Sequence, residues 1–195
     1  MTERSQSRES RARYNRLFAE LGAFCEPSTE LLNTVLSLPN MQYEGGGYAL
    51  NAKVTKEKAL YPFELLGGDF SLILSNKEEP LDAAVMGLAV VHDLPVINHL
   101  QGKRLHRTVL EGYRWRNVLI KAACHAACVA GYPNIAVLPA EKNVWYSAAV
   151  TNDLTAVRRR MKAAYDGVAL SMGFTYHADK GLYISSTHLA LGPTS

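Results

Sequence analysis

The sequence predicts an α/β protein: a mixed, mostly antiparallel central sheet flanked by helices, with an N-terminal helical extension. Three observations carry that reading. A long apolar helix begins at Trp115, stops at Gly131 and Pro133, and passes straight into a short strand at 135–138. Several apolar segments before it are bounded by turn residues, and a second amphipathic helix after it runs into Gly173 and Phe174.

The central helix rests on Trp115, Val118, Leu119, Ala122, Ala123, Ala126 and Val129, which recur at steps of three and four and form one broad apolar stripe. Gly131 supplies the left-handed residue that ends it. Small residues Ala126, Ala127 and Ala130 invite close approach of a neighbouring backbone, so the helix is expected to be buried.

Upstream, Leu17, Leu21 and Phe24 sit beside Arg11, Arg13 and Arg16 in an amphipathic stretch at 8–24. Pro27 interrupts it before a second helical piece at 29–38, which Pro39 and Asn40 end. Gly45, Gly46 and Gly47 read as a flexible turn before a strand. Segments 48–55, 60–66, 70–75 and 94–100 have strand character. Segment 81–91 suits helix or strand by period, and the hairpin-like connection at 76–80 tips it to strand. Leu154, Val157, Met161, Tyr165, Val168 and Met172 mark the last helix, with Asn152 as its cap and Gly173 as its close. Arg158, Arg159, Arg160 and Lys162 fall on its polar side, and extended chain follows at 173–176 and 182–185. The chain divides into a helical extension at 1–42 and an α/β core at 43–195, packed as one domain.

Composition excludes several classes. With 195 residues and 48% hydrophobic content, one sizeable core is within reach. A net charge of +3 is too small to imply a nucleic-acid partner, which calls for clustered cations along one face. No apolar run reaches the roughly 18 residues of a membrane span, and residues 1–10 are polar where a secretory signal is apolar. A soluble, cytoplasmic protein is expected. Cys25, Cys124 and Cys128 suit packing in a reducing compartment. His125 lies between two of them, but no second ligand cluster with zinc spacing follows, so no metal is expected. Neither a triphosphate-binding G-x-x-x-x-G-K-[ST] loop nor a G-x-S-x-G nucleophile elbow is present.

The order of strands, helix, strand, helix and strand, closing on Gly173 and Phe174, resembles the GCN5-related N-acetyltransferase (GNAT) superfamily over roughly residues 70–185. The resemblance lies in the pattern. It implies acetyl-CoA or another acyl-CoA as cosubstrate and an amine as acceptor. The family's Q/R-x-x-G-x-G/A loop, whose backbone cradles the CoA pyrophosphate at a helix N-terminus, falls on Glu111, Gly112, Tyr113, Arg114, Trp115 and Arg116. Arg114 and Arg116 thus stand at the two motif glycines, where arginine forks can bind phosphate directly. Gly112 belongs to the same set, and Lys103, Arg104, His106 and Arg107 add cations just before it. The family's tyrosine acid aligns with Ala169, and Tyr165 lies one turn earlier.

The family's splayed strand aligns with 94–100, so Leu100, Gln101 and Gly102 are expected beside the pantetheine. His99 shares a strand face with Gln101 and is the candidate base. Tyr165 is the candidate thiolate acid. Glu141, an alternative acid or base, and Asn143, which would orient a ligand, follow the strand at 135–138, where open α/β sheets bind ligands.

Two other readings stay open. One is a non-catalytic binding module on the same scaffold, with the N-terminal helices docking a partner or pairing two copies as a homodimer. The other, less favoured, is a nucleic-acid-modifying acyltransferase using the arginines of 4–16 and the cations of 103–107 as a split basic surface.

Overall fold

The computed structural model describes residues 8–9, 11–13, 15–17, 48–54, 70–76, 82–102, 114–151 and 154–188. The expected helix at 29–38, the glycine triplet, the strand at 60–66, the basic loop with Gly112, and Asn152 lie outside them. The chain is α/β, with helices flanking one mixed sheet of order β1-β2-β3-β4-β5-β7-β6. Its strands are β1 (Tyr48–Val54), β2 (Phe70–Asn76), β3 (Asp82–Val91), β4 (Leu94–Gly102), β5 (Asn134–Val137), β6 (Thr175–His177) and β7 (Leu182–Ser186). The ambiguous segment at 81–91 is strand β3, paired antiparallel on both sides. The chain after Gly173 forms an antiparallel hairpin, β6 with β7.

Among the described residues all pairings are antiparallel except one. β4 and β5 run parallel and meet at Val96↔Ala136 and Ile97↔Val137. The parallel step follows from the helix between them, since parallel neighbours need a crossover. That helix, α1 (Trp115–Val129), packs on β2, β3, β4 and β5. Leu119, Ile120, Ala122, Ala123, Ala126 and Ala127 are fully buried. Gly131 takes φ 87°, the left-handed stop expected of it.

Helical residues 11–13 and 15–17 dock on this core. Leu17 is fully buried. Arg13 pairs with Asp93 at the β3–β4 turn, bonds Glu9 at 3.1 Å, and stands over the Tyr132 ring.

After β5, the chain makes a 3-10 turn (Ala140–Lys142) and then α2 (Val144–Thr151), a helix the sequence reading did not anticipate. The last long helix is one run in three parts: α3 (Thr155–Lys162), a π turn (Ala163–Gly167) and α4 (Val168–Ser171). Its N-cap is Leu154, with no side-chain capping bond, which corrects the assignment of the cap to Asn152. Among the described residues, no helix is long and apolar enough to cross a membrane.

Candidate active site at the split between β4 and β5

The site begins with a bulge. Gly87 faces His99 and the next residue, Leu88, faces Ile97, so β4 carries one extra residue, Asn98. A Cβ on Gly87 would lie 2.7 Å from Asn98 Oδ1 and 3.1 Å from His99 Cβ, which is why glycine sits opposite the bulge. The bulge changes the phase of the strand, so Ile97 and Leu100, three apart, both join the main core cluster.

Just past the bulge the sheet splits. Leu138 N–H donates to Ile97 O at 2.9 Å, and no later residue of β4 pairs with β5. β4 continues to Gly102 against β3 alone. Donors facing a neighbour recur every second residue along a strand, so the next one on the β5 side is Ala140 N–H. Asp166 Oδ1 accepts it instead, at 2.9 Å. On the β4 lip, Leu100 N–H donates to the Tyr165 hydroxyl at 3.0 Å. Two successive residues of the π turn therefore hold the two lips of the split. Such turns add one residue to a helix and are frequent at functional sites; here the turn presents Tyr165 to β4 and Asp166 to the 3-10 turn that follows β5.

Asn143 completes the cluster. It is 1% exposed, and its Nδ2 donates to the Tyr165 hydroxyl at 3.0 Å. Its Oδ1 accepts Trp145 N–H at 3.0 Å, and its carbonyl accepts from Tyr146 and Ser147, so Asn143 caps α2. The acceptor role of Oδ1 fixes which end of the carboxamide faces Tyr165. One phenolic oxygen thus receives two N–H donors. Burial raises the Tyr165 pKa above its ordinary value, opposed by the Leu100 bond, the Arg116 charge and the Asn143 bond, so the phenol stays protonated at neutral pH.

The other expected site residues fall into three groups. His99 is buried on β4, and its Nε2 lies 3.1 Å from Gln101 Oε1, which places the pair on one strand face as the alternation requires. Burial pushes the His99 pKa below its ordinary value, partly offset by the Gln101 bond, so the imidazole is neutral at pH 7. Gln101 and Gly102 are exposed at the open end of β4.

Arg114 and Arg116 sit at the start of α1. Arg114 takes φ 46° and ψ 43°, the left-handed conformation that glycine adopts most readily. Arg116 stacks on the Trp115 ring at 4.4 Å, and its charge reaches Tyr165. The first turn of α1 holds no acidic side chain and no side-chain cap. Glu141 is exposed on the 3-10 turn, and its charge acts on Tyr183 together with that of Asp166.

Sequence reasoning missed Asp166 and the backbone role of Leu100 as an anchor for Tyr165. Neither has a local signal, because both contacts span 26 residues or more. Gly87 did carry one, a glycine inside an apolar strand. Among the described residues, no group of three or more metal-ligating side chains is found. No protein-family model, curated protein or solved structure matches the chain.

Proposed function

We propose that the chain is a GNAT-like, acyl-CoA-dependent N-acyltransferase that moves an acetyl or other acyl group onto an amine. The observation that carries this reading is the split itself. Leu100 N–H, Asn143 and Tyr165 converge where β4 parts from β5, and a strand that parts from its neighbour is what the family resemblance implies for an acyl thioester. A second observation supports it. The position aligned with the first motif glycine holds a left-handed residue at a helix N-terminus, although that residue is Arg114. Its guanidinium and that of Arg116 supply charge where the usual loop supplies only backbone.

In this reading a neutral amine attacks the thioester carbon. The carbon–nitrogen bond forms, the carbon–sulfur bond breaks, and its electron pair leaves on sulfur. Leu100 N–H stabilises the developing oxyanion. His99, neutral at pH 7, accepts the proton released by the amine, and the Tyr165 hydroxyl protonates the departing thiolate. Holding the reactants in line supplies much of the rate.

The binding-module reading is favoured by one fact, the arginines at both motif glycine positions. Calorimetric titration of acetyl-CoA and CoA into the full chain separates the two. Saturable binding, weakened by Arg114→Ala or Arg116→Ala, supports the acyltransferase and justifies a screen of amine acceptors. No binding at millimolar ligand favours the module.

A further inference from the structure

Resting on the acyltransferase reading, we propose that Asn143 is a catalytic oxyanion donor beside Leu100 N–H, and that the Tyr165 hydroxyl fills the position of the acyl oxygen until the thioester displaces it. The argument is geometric. Asn143 Nδ2 and Leu100 N–H both lie 3.0 Å from a single oxygen. Two rigid N–H donors converging on one oxygen at that distance form the arrangement that stabilises a developing alkoxide. Neither donor is adjustable: one is a strand amide, and the other belongs to a carboxamide locked by Trp145 N–H. The third partner, the phenol, is carried on a π turn, and it is the group a ligand oxygen would have to replace.

Displacement puts the phenol to use. In a thioester, oxygen and sulfur are bonded to the same carbon, so a hydroxyl moved one atom's width from the oxygen position lies beside sulfur. There its proton passes to the thiolate as the carbon–sulfur bond breaks, while the pair of N–H groups holds the oxyanion. The hydroxyl that fills the pocket becomes the acid of the reaction.

The test uses two ligands that differ in the carbonyl alone, acetyl-CoA and S-ethyl-CoA, titrated into the full chain and its variants. Tyr165→Phe empties the pocket and should tighten acetyl-CoA about tenfold, with S-ethyl-CoA unchanged and turnover reduced. Asn143→Ala should weaken acetyl-CoA relative to S-ethyl-CoA, with a matching rise in KM, and lower kcat by a larger factor, about a hundredfold. S-ethyl-CoA affinity doubles as the control for folding. Equal changes for both ligands, or selective weakening of acetyl-CoA by Tyr165→Phe, would overturn the pocket and leave the acyltransferase standing. Failure of the wild-type chain to bind either ligand would overturn both.

Discussion

The two halves of strand β4 make opposite use of the same backbone. From Leu94 to Ile97 it is paired with β3, meets β5 at Val96 and Ile97, and packs its side chains into two core clusters. From His99 to Gly102 it keeps β3, while its other edge meets a side-chain hydroxyl. One half bonds to strands on both edges, and the other bonds to a strand on one edge and a side chain on the other. The division is made by one extra residue at the bulge and by a helix that supplies Tyr165 and Asp166.

Substitutions sharpen that contrast. In the paired half, Ile97→Ala removes a fully buried side chain and should cost about 3 kcal/mol in urea denaturation. In the open half, Gln101→Ala removes only the bond to His99 Nε2 and should cost about 1 kcal/mol. If the two cost the same, the division of β4 is wrong. On the acyltransferase proposal, Tyr165→Phe should lower acyl transfer about a hundredfold, yet cost only about 1–2 kcal/mol of stability through the donors it leaves unmatched. Steady-state kinetics and denaturation of the same preparation check both. Asn143→Ala loses the α2 cap and the bond to Tyr165, and about 1.5 kcal/mol of stability is the expected result.

A pH titration probes the His99 face. Its folded pKa lies below the ordinary value of 6.5. The unfolded chain therefore binds its proton first as pH falls. The His99 contribution is fully present above pH 6.5 and is lost between there and the lower folded pKa. Denaturation at a series of pH values should show this acid-side loss, and His99→Gln should remove it. A modest effect is expected at the bulge: Gly87→Ala forces Asn98 aside and should cost about 1 kcal/mol.

How much of this was legible in the sequence depends on range. α1 could be read because a stripe at three- and four-residue steps reports burial directly, and Gly131 and Gly173 both take the left-handed φ their positions suggested. β3 was ambiguous because its apolar run, buried at every position from Ala84 to Ala89, lacks a period; its pairing on both edges decides it. α2 could not be read, since Trp145 and Val150 are exposed and Ala149 is buried, leaving no stripe to count. Tyr165 and Asn143 were picked as separate candidates, and no spacing rule links residues 22 apart across two helices and into a π turn. The π turn has no signature of its own, yet it determines where Tyr165 points.

A sheet fastened at one end and parted at the other is a wedge. Its narrow end is set at the spacing of paired strands, about 4.8 Å, by the bond from Leu138 to Ile97. Beyond that bond β4 has no pairing with β5, and neighbouring residues of one helical turn, Tyr165 and Asp166, take up the amides of Leu100 and Ala140 instead. Because Tyr165 and Asp166 are neighbours in the chain, the two sides of the wedge are tied to one helical turn rather than to separate loops.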